Sequence, residues 1–239
     1  MTAVAEWVEE IRDARAPRGY GGRFYGAYPA LVSNIKDPDG QGRVKVQLPW
    51  SPDGQGASYE AWARLATTMG GNNRGTWFIP DMNDEVLVIF MGGDPRQPCV
   101  VGGFWNGQDK PPQSMDGAGK NFIKTIRSRN GVQITLDDTD GQETMTLQTP
   151  AGQSMTLKDG PGSITLQDSN GNSAKMEAAG ITVTASAKVT VNASTVEISA
   201  GMVTVNAGMS TFSGVVQADT VITNSVISAS YTPGAGNIW

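Results

Sequence analysis

Four acidic side chains gather where the sequence could support acid–base chemistry. Asp137, Asp138, Asp140 and Glu143 fall within one stretch of seven residues, and a pair of carboxylates is what most glycoside hydrolases use. The same residues surround an Asp-Gly pair, which is typical of a tight hairpin turn. We expect a solvated turn here. A carbohydrate-active or carbohydrate-binding β-helix protein is the alternative function that these residues leave open.

Two other stretches resemble ligand-binding loops but lack residues that such loops need. Residues 117–120 end in the Gly-Lys pair of a phosphate-binding loop, yet Ser114 and Asn121 stand where that loop has glycine and a hydroxyl residue. Residues 168–172 are rich in Asp and Asn but carry no bidentate glutamate for calcium. We therefore expect a linker and a plain turn at these two places.

The residue inventory excludes several classes of chemistry. The chain of 239 residues has no histidine, so it cannot build a Ser-His-Asp triad, a Cys-His dyad or an imidazole metal site. Its one cysteine, Cys99, excludes an internal disulfide. A net charge of -5 disfavours binding to nucleic acid, which depends on Lys and Arg. The sequence thus indicates neither an enzyme nor a cofactor, a metal site or a nucleic-acid partner.

Export and membrane signals are also lacking in the sequence. The longest strongly apolar run, residues 86–91, is far shorter than the ~20 residues that a spanning helix needs. Residues 1–16 have early acidic residues and no apolar core of the signal-peptide type. The spacing of Trp7, Val8 and Ile11 predicts a short amphipathic helix instead. We expect synthesis in the cytoplasm without export by the general route.

The composition changes near residue 130. The first 129 residues carry 14 of the 17 aromatic and 15 of the 18 basic side chains, whereas the rest of the chain has a net charge of -6. Such a shift indicates two architectures. Residues 24–106 show about five short apolar or alternating runs with an Asp-Pro-Asp-Gly turn at 37–40, which predicts a small barrel. We expect its tryptophans to pack in the core rather than stack on a ligand: Trp50, Trp62, Trp77 and Trp105.

From Val132 onward, apolar–polar–apolar triplets recur between turn residues. The distances between the last apolar residues of triplets are 11, 10 and 9 along Leu136, Leu147, Leu157 and Leu166. They are 8, 7, 7 and 7 along Val183, Val191, Ile198, Val205 and Phe212. Seven residues hold only one short strand and one corner. A lone chain could make a three-sided solenoid from such units. Three chains wound around one axis satisfy the pattern more simply, because they bury each inward Val or Ile and close the strand edges.

Short blocks in the barrel region resemble one family in both sequence and order. They are Tyr-Pro-Ala-Leu-Val at 28–32, Asp-Pro-Asp-Gly-Gln-Gly-Arg-Val at 37–44, Leu-Pro-Trp at 48–50, Trp-Ala-Arg at 62–64, Asp-Glu-Val-Leu-Val at 84–88 and Pro-Cys-Val-Val-Gly at 98–102. These blocks are similar to the oligonucleotide/oligosaccharide-binding (OB) domain of phage baseplate assembly protein V and of related spikes in type VI secretion and contractile injection machines. The repeat behind them resembles that family's triple-stranded β-helix.

The resemblance implies an all-β chain, with an N-terminal OB-fold barrel followed by an intertwined trimeric triple-stranded β-helix. It implies a homotrimeric central spike in the tail baseplate or injection particle, bound to a hub protein at the OB end. The spike would pierce the target cell envelope when the sheath contracts. Asn83 departs from the family's usual glycine, but Asn tolerates the left-handed backbone. Without histidine the chain cannot hold iron at its tip, which implies a separate PAAR-like tip protein or a metal-free cap.

We therefore divide the chain into five regions. They are an N-terminal helix and lead-in (1–23), an OB-fold domain (24–106), a linker (107–129), a triple-stranded needle (130–228) and a tip or cap (229–239). The candidate contacts with the tip protein are Tyr231, Ile238 and Trp239. The candidate contacts on the hub side are Trp7 and Ile11.

Overall fold

The computed structural model describes residues 22–52 and 56–230, and its regular structure is almost entirely β. The chain divides into two units, Met1–Lys188 and Val189–Trp239. Within the described ranges, no helix has the length and apolar character needed to span a membrane.

The first part of the chain is a closed barrel of five strands. These are β1 (Ala27–Asn34), β2 (Val44–Pro52), β3 (Ser58–Leu65), β6 (Glu85–Phe90) and β7 (Pro98–Gly103). A small hairpin of β4 (Gly70–Gly71) and β5 (Arg74–Gly75) is inserted between β3 and β6. The barrel closes because β1 pairs with both β2 and β6, and β3 runs parallel to β7. The predicted OB-type barrel and its five strands are confirmed.

Alternate residues fill the barrel. On β6, Val86, Val88 and Phe90 point inward and are buried, and each such side chain contributes roughly 1.5–3 kcal/mol relative to exposure. The backbone of Asn83, just before β6, has φ of 70° and its N–H donates to the Val32 carbonyl at 2.8 Å. The left-handed conformation expected for Asn83 is therefore confirmed, and it brings the start of β6 onto β1.

One carboxylate organises the turn between β1 and β2. Asp37 accepts the backbone N–H groups of Asp39, Gln41 and Arg43 at 2.7 to 3.1 Å. The Arg43 guanidinium donates to the same carboxylate at 2.7 Å and lies 5.7 Å above the ring of Trp62. The Arg43 side chain, followed by the backbone donors, holds the pKa of Asp37 well below its usual range. The turn is thus fixed by polar contacts.

Seven strands follow the barrel in one antiparallel sheet, each paired with its neighbours in sequence. They are β8 (Ile123–Arg127), β9 (Gln133–Asp137), β10 (Thr144–Gln148), β11 (Ser154–Lys158), β12 (Ser163–Gln167), β13 (Ser173–Glu177) and β14 (Gly180–Thr184). β8 lies inside the stretch 107–129, where the sequence predicted a linker. β9 to β14 occupy the first half of the predicted needle, but their strands pair within one chain. Repeats of 9 to 11 residues leave room for a five-residue strand and a short hairpin connection.

The turns of this sheet are packed on one another. A Cβ atom on Gly160 would lie 2.2 Å from the carbonyl oxygen of Gly141, so only glycine fits where these two turns meet. At the other end of the sheet, Asp168 accepts hydrogen bonds from the backbone and the side chain of Asn172 at 2.9 and 2.7 Å. The Asn172 side-chain oxygen accepts the Ser186 N–H at 2.9 Å. This chain of bonds ties a turn to the segment that leaves β14.

The second unit differs from the sheet in its secondary structure and in the exposure of its apolar side chains. Residues 189–230 contain no assigned strand. Their apolar side chains face solvent, with Val215, Ile222 and Ile227 exposed by 97, 95 and 98%. In the part of the chain that the structure describes, residues 189–230 pair with no strand.

We predict that Gly160→Ala destabilises the sheet by about 1–3 kcal/mol, because the new methyl group would overlap the Gly141 carbonyl. Gly162→Ala is the matched control, since its Cβ would meet the nearest atom at an ordinary 3.7 Å. Urea unfolding of both variants and the wild type measures the difference. Equal midpoints for the two variants would show that the turns relax at little cost.

A second prediction concerns the stability of the fold at low pH. The hydrogen bonds from Asn172, first its side chain and then its backbone, lower the pKa of Asp168 from 3.8 to about 2. A group with a lowered folded-state pKa stabilises the fold above its unfolded pKa, and this contribution is lost as the pH falls through the folded value. Thermal unfolding of Asp168→Asn should therefore depend less on pH between about 4 and 2 than that of the wild type.

Asn172→Ala is the companion variant, because it keeps the carboxylate and removes the strongest donor to it. It should flatten the same part of the profile. A wild-type slope in both variants would contradict the assignment of this acid sensitivity to the Asp168–Asn172 pair.

Candidate functional site

One face of the seven-stranded sheet is built almost entirely from apolar side chains. In each triplet the two apolar residues point to one side and the residue between them to the other. The strand register aligns these residues into two rows across the sheet. The first row is Ile126, Ile134, Leu147, Met155, Leu166, Ala174 and Val183, and the second is Leu136, Met145, Leu157, Ile164, Met176 and Ile181. We call these two rows the apolar face.

The apolar face is open to solvent in the single chain. Ile134 and Leu136 are 40 and 44% exposed, whereas Thr135 between them is half-buried on the opposite side. Exposure rises to 72% at Ile181 and 65% at Val183. This is the reverse of the pattern that burial of apolar groups produces. A contiguous exposed surface of this kind marks an interaction site.

The segment that follows the sheet also exposes apolar side chains. Val189, Val191 and Ile198 are 63, 69 and 69% exposed. Between residues 189 and 230 the sequence has only two charged side chains, Glu197 and Asp219. Too few charges are present to solvate so much apolar surface, so this segment also needs a covering partner.

The acidic turn shows no geometry for glycoside cleavage. Asp137 accepts the hydroxyl of Thr139 at 2.6 Å, Asp138 pairs with Lys124 at 2.8 Å, and Glu143 accepts a backbone N–H of its own turn. The Thr139 hydroxyl, as the largest cause, lowers the pKa of Asp137, whereas a general acid needs a raised pKa. The contacts support the predicted solvated turn rather than a catalytic pair.

The two candidate ligand loops use their polar groups internally. Asp116 accepts the backbone N–H groups of Ala118, Lys120 and Asn121 at 2.7 to 3.0 Å. These are the donors that a bound phosphate would require. Asp168 is occupied in the same way by its own turn. Across residues 22–52 and 56–230, no group of three His, Cys, Asp or Glu side chains is placed to hold a metal ion.

The prediction that all four barrel tryptophans lie in the core is wrong for two of them. Trp50 packs against the core and donates its indole N–H to the Pro29 carbonyl at 2.7 Å, and Trp62 is half-buried. Trp77 and Trp105 are instead 75 and 69% exposed. Trp77 and Trp105 come after the ends of strands, whereas Trp50 and Trp62 lie within strands. This difference in position distinguishes the exposed tryptophans from the packed ones.

Five predicted contact residues lie outside the described ranges. Trp7 and Ile11, expected on the hub side, precede residue 22, and Tyr231, Ile238 and Trp239, expected at the tip, follow residue 230. The surface that the structure does display is therefore the apolar face. The sequence anticipated its inward Val and Ile residues but not their arrangement in a single-chain sheet.

Two regions of the chain match domains of known proteins. Residues 28–105 match the type VI secretion system/phage-baseplate injector OB domain, and residues 144–211 match the phage baseplate V C-terminal trimerisation domain. The second match takes in β10 to β14 and therefore most of the apolar face. It also extends into the exposed segment beyond residue 188.

Curated relatives are similar over about half of this chain. The type VI secretion system spike protein VgrG2a of Pseudomonas aeruginosa is 31% identical over 122 residues, which cover 48% of this chain and 14% of the relative. The spike protein VgrG3 of Vibrio cholerae is 28% identical over 130 residues, or 49 and 13% of the two chains. The actin cross-linking toxin VgrG1 of the same species is 25% identical over 124 residues, or 47 and 11%.

The aligned stretch thus covers less than a fifth of each of these relatives. The two domain matches, in contrast, together take in more than half of this chain, in the same order as the barrel and the repeat. The chain belongs to the phage baseplate V family of injection-machine spike proteins.

Proposed function

We propose that this chain is the structural central spike of a contractile phage tail or a related injection machine, and that it acts without enzymatic chemistry. The observation that carries the proposal is the open apolar face inside the matched trimerisation domain. A homotrimer supplies the missing cover, because each copy brings the same face to a common axis. The protein would then be a component of the tail baseplate or the injection particle.

Three sheets facing one axis would remove the apolar face from water. Each fully buried Val, Leu or Ile contributes roughly 1.5–3 kcal/mol, and most of this contribution arises only on assembly. Residues 189–230, which pair with no strand in the described part of the chain, would gain backbone partners from the two other copies in an intertwined needle. Folding of this segment and association of the subunits are then one process.

The two ends of the spike are assigned to different partners. A hub protein would bind at the OB end, with Trp7 and Ile11 as contacts, because these residues form one face of the predicted N-terminal helix. A PAAR-like tip protein would cap the other end through Tyr231, Ile238 and Trp239, since the repeat stops before them. Contraction of a sheath would drive the capped needle through the target cell envelope.

The trimer is tested by solution mass. We expect light scattering with chromatography to give three times the 25.2 kDa chain mass for the wild type. Leu147→Asp should abolish this species, because it places a charge in the apolar face where three copies meet. Thr146→Asp is the matched control, since Thr146 is the neighbouring residue on the opposite face, and it should leave the trimer intact.

A wild-type monomer of 25.2 kDa would overturn the proposed spike. Loss of the trimer in both variants would show that any charge in β10 disrupts the sheet. In that case Leu147→Ala, which truncates the side chain without adding charge, would separate folding from association through thermal unfolding measured beside the mass.

The tip assignment is tested by truncation. Deletion of residues 229–239 should keep the trimer mass, because the apolar face and the repeat end before residue 229. The truncated trimer should fail to co-purify with a co-expressed PAAR-like protein that the full chain captures. Trp239→Ala alone should weaken the capture, since tryptophan is enriched among residues that dominate binding energy. Loss of the trimer on truncation would place these residues in the assembly core instead.

A further inference from the structure

Trp105 lies exposed at the junction between the barrel and the sheet. It follows β7 directly, and its side chain is 69% exposed. It borders a cleft that is also lined by Ile126 of the edge strand β8 and by Pro111 and Pro112. The proposed homotrimer accounts for the apolar face but not for this tryptophan.

The backbone around Trp105 is held on both sides. The Phe104 N–H donates to the Glu85 carbonyl at 2.9 Å, and the Asn106 side chain donates to the Glu85 carboxylate at 2.9 Å. Asn106 also accepts the Asp109 N–H at 2.7 Å, which closes the next turn. The indole is therefore presented from a fixed backbone. A pre-positioned aromatic side chain loses little conformational freedom when it binds.

An ion pair joins the sheet to the barrel region near the cleft. Arg129, just after β8, donates to the carboxylate of Asp81 in the barrel at 2.8 Å. Both side chains are exposed, so the pair adds little to stability. It nevertheless links the sheet to the barrel beside the cleft.

The cleft continues the apolar face. Ile126, which borders the cleft and is 56% exposed, starts the row that runs across the sheet to Val183. Five of the seven strands crossed by this row lie within the matched trimerisation domain. Ile126 is thus both a member of the apolar face and, together with Trp105, a lining residue of the cleft.

The edge of β8 also needs a cover. The Asp138 N–H bonds to the Phe122 carbonyl and the Ser128 N–H to the Val132 carbonyl, so these residues form hydrogen-bonded pairs at the two ends of the β8–β9 ladder. Such pairs alternate with non-bonded pairs in an antiparallel ladder. The backbone groups of Ile123, Thr125 and Arg127 therefore point away from β9. In the described part of the chain, β8 has β9 as its one strand partner.

We propose that Trp105 packs against a neighbouring copy of this chain, so that the trimer contact reaches beyond the trimerisation domain to the junction of barrel and sheet. Three-fold symmetry places the β8 strands of all copies at the same level along the axis. A second copy that covers the apolar face and the free edge of β8 would then also lie next to the cleft. The inference rests on the proposed homotrimer and adds a residue and a contact to it.

The test is photo-crosslinking of the purified full chain. Trp105→p-benzoylphenylalanine places a crosslinker at the cleft, and Trp77→p-benzoylphenylalanine places one at a barrel position that is 75% exposed and borders a groove lined by barrel residues alone. Both variants are checked for trimer mass, irradiated and fully denatured before the products are separated. We expect covalent dimers and trimers of the chain from position 105 and none from position 77.

The outcomes separate this inference from the proposed function. A trimer that yields no intersubunit product from position 105, or equal product from both positions, overturns the role of Trp105 and leaves the spike intact. A monomeric mass overturns the spike and the inference together. Trp105→Ala supplies a second measurement, since it should lower the temperature at which the trimer dissociates while Trp77→Ala leaves that temperature unchanged.

Discussion

An apolar sheet face that one chain cannot cover is the constraint on which the rest of this structure depends. The strands from β9 to β14 place two apolar residues per strand on the same side. Water is an unfavourable environment for such a surface, and its cover must have the same length and spacing. Identical copies meet both conditions at once. The trimerisation domain matched over residues 144–211 is the family's form of that solution.

The repeat becomes shorter along the chain, and the backbone hydrogen bonds within the chain become fewer with it. Repeats of 9 to 11 residues give a strand and a reversing turn, so the sheet forms its hydrogen bonds within one chain and lacks only an apolar cover. Residues 189–230, where the repeat is seven residues, pair with no strand of the described chain and leave their apolar side chains exposed. Dependence on assembly therefore increases along the chain, from a barrel with its own core to a segment that has none.

Much of the barrel could be predicted from the sequence because its signals are local. Alternating apolar residues gave its five strands, and the tolerance of Asn for the left-handed region gave the turn at Asn83. The pairing of the early repeats could not be derived in the same way. A triplet such as Ile-Thr-Leu has the same inward and outward faces whether its strand pairs with its own chain or with another copy. Trp105 and Trp77 were misplaced because a tryptophan that follows a strand carries no periodicity to show its direction.

The carboxylates of this chain whose pKa values are lowered most hold turns together. The carboxylates with strongly lowered pKa values, those of Asp37, Asp94 and Asp168, are each held by arginine, backbone or amide donors within a turn. They stay ionised and fully engaged, whereas a catalytic acid or base must exchange its proton near neutral pH. These carboxylates fix the conformation of their turns. Polar contacts therefore shape the turns, whereas the apolar side chains of the sheet stay exposed and available to a partner.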